Sequence, residues 1–365
     1  MSENRPKTLE RCPVMDGSET EPNRSIRIVP TPNEELLTEK EQLDYYEYRK
    51  SFLTWLLKFG KNPEMAKGYS PYTVYATGYR SAAFDRWVWD HNGGYKAPPT
   101  EEDATVFMDE VALSDDSDCM KGKKLEMLRR YSKWLSEQHG QDQWAFPWKF
   151  KSGGGNNQPR DFLSVDERRA IRQAALGLDG NPAYGVEDKD ALAVTDGSWK
   201  FTSIVWTSLD AALRPVEVGR AKVGWVDPDN GVLRIPIEES SKNDGNWTVS
   251  VTDRTATALK RWLEERASHP RYEDTDALWL TRHGNRYGAN ELRRLLHGLC
   301  DRAGIDYEHR QMSWYTIRHS VGTYMTKERD LAATKAQLRH KCPKTTMKYD
   351  QVPVEDRRDA LDRMG

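Results

Sequence analysis

The sequence predicts a mostly α-helical chain with a small antiparallel β-sheet, arranged as a helical domain followed by a mixed α+β domain. Three observations carry this. Apolar residues recur at helical spacing from about residue 35 to about residue 148. A run of three glycines among polar residues, at 151–160, then interrupts the pattern. Beyond it, two segments alternate apolar and polar residues with the period of two that strands require.

Residues 1–34 are rich in Pro, Glu, Asn, Arg and Ser without periodicity, and are expected to form a flexible N-terminal arm. Residues 35–150 read as a helical domain. Phe52, Trp55, Leu56 and Phe59 fall at i, i+3, i+4 and i+7, giving one apolar helix face. Ser70-Pro71 supplies a cap and a first-turn proline for a second helix, which runs to about Asp90 before Gly93-Gly94 breaks it. Glu101, Glu102 and Asp103 charge the start of a third. Leu125, Leu128, Ser132 and Leu135 mark one side of a fourth, whose other faces carry Lys121, Lys123, Lys124, Arg129, Arg130 and Lys133.

Residues 151–160 are the expected linker, and 161–365 the second domain. Ser164 and Glu167 have capping-box spacing. A helix near 201–213 ends at Arg214-Pro215, and Pro215 can open the next. Asp229-Asn230-Gly231 is a tight-turn signal. Leu233, Ile235 and Ile237 alternate, as do Trp247, Val249 and Val251, so the two runs read as a hairpin. Pro236 suggests that its strand lies at an edge. After residue 255 the pattern reads as helical to the end.

Composition narrows the function classes. The 365 residues suit two domains, and 55 Lys/Arg against 57 Asp/Glu leave a formal charge of −2. The 13 Trp, 16 Tyr and 8 Phe argue against a wholly disordered chain. No apolar run approaches the ~20 residues of a membrane-spanning helix, and the first residues lack the apolar core of a secretory signal. Cys12, Cys119, Cys300 and Cys342 lie far apart, which excludes a disulfide scaffold or a cysteine-rich zinc module and fits a reducing compartment. Phosphate-loop, HExxH and GxSxG motifs are missing from the sequence. Charge is uneven, however: residues 281–365 hold 17 basic against 11 acidic residues. The stretch 335–348 contains Lys335, Arg339, Lys341, Lys344 and Lys348 without an acid.

Four short segments of the second domain carry chemistry. They are Leu213-Arg214-Pro215-Val216-Glu217, Ser241-Lys242-Asn243-Asp244-Gly245, Tyr315-Thr316-Ile317-Arg318-His319, and Leu338-Arg339-His340 followed by Thr345-Thr346-Met347-Lys348-Tyr349. Each has an ordinary explanation when taken singly: a helix-end arginine, a turn lysine, a packing tyrosine. In this order they resemble the tyrosine recombinase (phage integrase) family, and the resemblance covers about residues 35–355.

The resemblance implies a helical, SAM-like core-binding domain at 35–150 and a catalytic domain of tyrosine-recombinase type at 161–365. It implies a site-specific DNA recombinase that cuts and rejoins strands through a 3′-phosphotyrosine, without metal, ATP or other cofactor. Tyr349 would attack the phosphodiester. Arg214 and Arg318 would hold the non-bridging oxygens, for which planar, permanently charged guanidinium groups are suited. Lys242 would protonate the leaving 5′ oxygen. His340 would contact phosphate or help hold the nucleophile. A phenol of pKa ~10 is a weak nucleophile at neutral pH, and neighbouring cations favour its phenolate. Glu217, one turn from Arg214, is expected to support it, and His319 to be structural. Two positions depart from the family pattern. Tyr315 stands where the family has histidine and is assigned to phosphate contact or positioning. Arg339 replaces the usual glycine.

The expected partner is double-stranded DNA carrying specific recombination sites, with no membrane. Phosphate contacts are expected from Lys121, Lys123, Lys124, Arg130, Arg339, Lys341, Lys344 and Lys348. The family would act as a homotetramer joined through the segment after Tyr349, which contains Val354 and Leu361. Integration or excision of a mobile element is the favoured task, and a cytoplasmic, nucleoid-associated location the expected one. A type IB topoisomerase-like nicking–closing enzyme shares the chemistry without paired sites. A DNA-binding protein with a decayed recombinase fold is the alternative from a different class.

Overall fold

The computed structural model describes residues 11–12, 26–150, 161–178, 198–237, 245–349 and 361–362. The chain divides into two compact units at Gln158 and Pro159, inside the expected linker.

In the first unit, α1 spans Thr31–Glu34, α2 Glu39–Lys58, α3 Pro71–Asn92, α4 Glu101–Leu113 and α5 Asp118–His139. Local chemistry explains the helix ends. Thr38 with Glu41 and Thr100 with Asp103 form capping boxes, while Ser70 and Ser117 accept from the first turns of α3 and α5. Gly93 (φ 70°) closes α3 in the left-handed conformation that glycine adopts without cost. Phe52, Leu53, Phe84, Leu128 and Trp134 meet in the core. Phe59 lies one residue past the end of α2 and is exposed, so the expected apolar stripe stops at Leu56.

The described end of the expected arm belongs to this core. Ile26–Arg27 (β2) pairs antiparallel with Arg11–Cys12 (β1), and Ile26, Ile28 and Val29 are buried. The Ile28 carbonyl accepts from Arg49 Nε at 2.8 Å. Arg49 itself sits 3.7 Å from Asp85, which also accepts from the Tyr45 and Tyr131 hydroxyls at 2.6 and 2.9 Å. Burial lifts the Asp85 pKa to about 6 despite these partners. Three apolar residues among polar ones gave too short a pattern to show this docking.

In the second unit, α6 (Val165–Leu178) is capped by Ser164 and Glu167 as expected. It packs on α7 (Lys200–Ala211), which is followed by α8 (Pro215–Arg220). The sheet has the order β3 (Val226–Asp227), β4 (Val232–Ile235), β5 (Trp247–Ser250), antiparallel throughout. β4 is therefore central, not at an edge. Pro236 follows its last paired residue, so the missing N–H removes no ladder bond. Gly231 (φ 62°) makes the turn between β3 and β4.

The remaining helices are α9 (Asp253–Ala267), α10 (Ala289–Ala303), α11 (Trp314–Glu328), α12 (Leu331–Gln337) and α13 (Pro343–Thr346). The stretch between α9 and α10 departs from the all-helical expectation. Ala277, Leu278, Trp279 and Leu280 are buried, with bridges Lys222↔Ala277 and Leu280↔Arg286. A short continuous apolar run fits a buried extended segment as well as a helix. No helix among the described residues is long and apolar enough to cross a membrane.

Candidate active site

The site forms where four pieces of the second unit meet: the turn from α7 to α8, the middle of α11, the turn after α12, and the 3₁₀ turn Met347–Tyr349. Helix α7 ends at Ala211, and Ala212 takes a left-handed conformation (φ 51°). Arg214 is then extended, and Pro215 opens α8. Glu217, three residues on, turns its carboxylate back. It accepts from the Arg214 backbone N–H at 2.8 Å and from Arg214 Nη1 at 2.7 Å. The expected support of Arg214 by Glu217 thus has a geometry.

Arg318 projects from α11 and is buried. Its Nη1 donates to the Ala212 carbonyl at 2.6 Å, and its Nη2 to the Leu338 carbonyl. Two of its five N–H groups are spent on anchoring. Burial, with Arg214 and Arg339 nearby, lowers its pKa to about 9, so it stays protonated at neutral pH.

Arg339, expected among surface phosphate contacts, is 4% exposed and lies under the site. It adopts a left-handed backbone (φ 55°), the conformation that makes glycine the easy choice there. Its Nη1 donates to the Ala211 carbonyl at 2.6 Å, and its Nη2 to the Ala212 carbonyl at 2.9 Å and to Glu217 at 2.7 Å. Ala212 thus shares one carbonyl between two arginines. Burial would raise the Glu217 pKa, but Arg339, Arg214 and Arg318 outweigh it and hold it at about 2.

Tyr349 is 4% exposed and packs against Ala212, Val321 and Leu338. Its hydroxyl lies 3.0 Å from His319 Nδ1. The His340 ring stacks beside it, with centroids 5.9 Å apart and planes at 12°. His340 Nδ1 lies 2.9 Å from the Thr346 hydroxyl. Burial first, then Arg318, Lys348, Arg214 and Arg339, push the His340 pKa down to about 3, so this imidazole is neutral at working pH.

The structure therefore brings together Arg214, Glu217, Arg318, His319, Arg339, His340 and Tyr349. Tyr315 stands apart, half exposed, on the first turn of α11. Lys242 lies outside the described residues. Lys341, Lys344 and Lys348 are exposed. In the first unit, Lys123 is exposed, while Lys121 donates to the Ala112 carbonyl, Lys124 pairs with Asp116 and Arg130 with Glu126. Among the described residues no group of three or more His, Cys, Asp or Glu side chains is placed to hold a metal ion.

Three contributors escaped sequence reasoning. The Ala212 carbonyl is a backbone group and leaves no side-chain signal. Thr346 is the second threonine of the quoted motif, and its spacing from His340 places it within reach only once the chain turns. Gly322 lies one turn beyond Arg318, and a Cβ there would stand 2.6 Å from the Tyr349 ring. Gly322→Ala sets a helix-propensity gain of about 1 kcal/mol against overpacking of a buried ring, which costs about 1–3 kcal/mol, so a modest net loss of stability is expected. If Tyr349 is the attacking group, displacing its ring should slow strand cleavage far more, by roughly 100-fold, the penalty of an ångström-scale misplacement. Thermal melts beside single-turnover cleavage rates check both halves.

Arg318, with Arg214 and the buried Tyr349 as its electrostatic neighbours, makes a cluster whose chemistry suits phosphoryl transfer to a tyrosine. Residues 198–355 match the model of the phage integrase family. The chain is 26% identical to tyrosine recombinase XerC of Chromobacterium violaceum over 233 residues, 63% of this chain and 70% of that one. Its fold resembles XerH site-specific recombinase in a post-cleavage complex with a palindromic difH substrate (TM-score 0.58, 15% identity, 89% of each chain). It also resembles the Tn1549 transposon integrase in complex with transposon right end DNA (TM-score 0.55, 14% identity, 86% of this chain and 98% of that one). The second unit thus carries a domain matching the phage integrase family, and the chain is similar over most of its length to tyrosine recombinases, enzymes that cut and rejoin DNA strands without metal or ATP.

Proposed function

We propose that this chain is a site-specific recombinase that acts on duplex DNA through a 3′-phosphotyrosine at Tyr349. The observation that carries the reading is the buried Tyr349, its hydroxyl 3.0 Å from His319 Nδ1 and its ring stacked on His340, with Arg318 as its electrostatic neighbour and Arg214 beside Arg318 and His340. Tyr349 Oη attacks phosphorus and the 5′ oxygen leaves with a proton, for which Lys242 is the proposed donor. Arg214 and Arg318 neutralise charge developing on the non-bridging oxygens, a stabilisation set up before the reaction begins. His340, held neutral, serves as a hydrogen-bond donor to phosphate. The arrangement in which Thr346 donates to Nδ1 leaves the proton on Nε2 for that purpose. The phosphotyrosine keeps the energy of the broken linkage, so rejoining needs no nucleotide.

Duplex binding draws on Lys341, Lys344 and Lys348 and on Lys121, Lys123, Lys124 and Arg130. The partly exposed ion pairs of Lys124 and Arg130 contribute about 0–1 kcal/mol and can be exchanged for phosphate. Assembly as a homotetramer through the segment after Tyr349 belongs to the same proposal. Of that segment's apolar residues, Leu361 is exposed and Val354 lies outside the described residues. We favour integration or excision of a mobile element as the task, on the glycine-rich linker and the replacement of the family histidine by Tyr315. A cytoplasmic, nucleoid-associated location follows from action on chromosomal DNA.

Plasmid assays test the reading against the topoisomerase-like alternative. A supercoiled plasmid carrying two copies of the DNA flanking the gene for this chain should give inversion or deletion products. A plasmid without that DNA should remain supercoiled. Equal relaxation of both plasmids, with no rearrangement, would favour nicking and closing without paired sites.

A further inference from the structure

The nucleophile's hydrogen bond points to a role for a residue that sequence reasoning treated as structural. Acid–base work at this point of the family motif belongs to the histidine that is Tyr315 here. Tyr315 is 43% exposed, and a phenol is a poor proton acceptor at neutral pH. Its ring is 6.3 Å from that of His319. Further along α11, His319 turns inward and is 8% exposed. Its Nδ1 lies 3.0 Å from Tyr349 Oη, within the roughly 2.6–3.2 Å reach required of a general base. The other imidazole beside the nucleophile, His340, has its Nδ1 engaged by Thr346.

We propose that His319 is the general base of strand cleavage. As Tyr349 Oη forms its bond to phosphorus, the phenolic proton passes to His319 Nδ1. The bond from phosphorus to the 5′ oxygen breaks, and that oxygen takes a proton from the separate acid. On rejoining, the 5′ hydroxyl attacks the phosphotyrosine and the imidazolium returns its proton to Tyr349. Proton and charge balance in both directions without any co-reactant. The position vacated by the family histidine is thus replaced functionally by its neighbour one turn on, not by Tyr315.

The inference rests on Tyr349 being the nucleophile, so the test separates the two. Nicked suicide duplexes tiling the DNA flanking the gene locate a cleavage site. A duplex with sulfur at the 5′ bridging position of that site then carries a leaving group that needs no proton. His319→Gln keeps an acceptor of similar size but cannot take up a proton. It should bind the duplex like the parent, yet cleave the sulfur substrate at least about 100-fold more slowly. Added imidazole should restore part of the rate to His319→Ala. Lys242→Ala should instead be rescued by the sulfur substrate. Circular dichroism confirms that each variant is folded, and His319→Asn replaces any that is not. His319→Gln cleaving close to the parental rate would overturn the inference. So would a folded, DNA-binding His319→Ala that imidazole leaves unchanged. A parent that forms no adduct, or an adduct that survives Tyr349→Phe, would count against the proposed function itself.

Discussion

Arg318→Lys is expected to lower single-turnover strand cleavage by roughly 10²–10³-fold, the range seen when one preorganised donor to developing charge is removed. The charge survives the substitution, but the geometry does not. Arg318 is fixed by donating to the Ala212 and Leu338 carbonyls at once, which leaves its other N–H groups in a set direction. A lysine ammonium is a single point of charge on a flexible stem and cannot span both carbonyls while presenting a fork to phosphate. Orphaning a buried carbonyl costs a further 1–3 kcal/mol or about that, so a modest fall in stability should accompany the loss of rate. DNA affinity should change little, because one phosphate contact moves the salt-dependence slope by only about 1. Cleavage rates and binding at two salt concentrations check the separation.

Glu217→Ala should destabilise the second unit by about 3–5 kcal/mol, the usual result of leaving a buried charge without its partner. Glu217 is the carboxylate that Arg214 and Arg339 share, and it is fully buried. Its pKa of about 2 in the folded chain lies below its ordinary value of 4.5. The unfolded chain therefore binds more protons between these values, and stability rises with pH across that window. The contribution, on the order of 3 kcal/mol, is present above about pH 4.5 and lost as the pH falls towards 2. Urea unfolding at pH 7 and pH 3 should show the parent losing about 2 kcal/mol of this increment, and Glu217→Ala having little of it to lose. Arg339→Gly offers a contrast. It relieves a left-handed backbone worth about 1–2 kcal/mol but removes the bonds to Ala211, Ala212 and Glu217.

Much of this architecture was legible because the signals were local. Ser70 and Ser164 announce helices within three residues of themselves, and the Asp229-Asn230-Gly231 turn and the alternation of β4 and β5 act over equally short range. The order of Arg214, Arg318, His340 and Tyr349 could be read because the motifs are contiguous. What stayed hidden depends on residues far apart in sequence. Arg339 and Glu217 are 122 positions apart, so neither shows that the other neutralises it. The burial of Ile26 and Ile28 depends on Arg49 and the helices it joins. His319 and Tyr315 sit on one short segment, and only the packing of α11 decides that His319 faces Tyr349. An α-helix turns about 100° per residue, so closeness in sequence says little about which side chain meets a distant one.

Covalent trapping tests the central claim most directly. The protein is incubated in EDTA with nicked duplexes covering the DNA beside its gene, then denatured and resolved for protein–DNA adducts. The account predicts an adduct with the parent and with Tyr315→Phe, and none with Tyr349→Phe. An adduct lost with Tyr315→Phe but kept with Tyr349→Phe would contradict it.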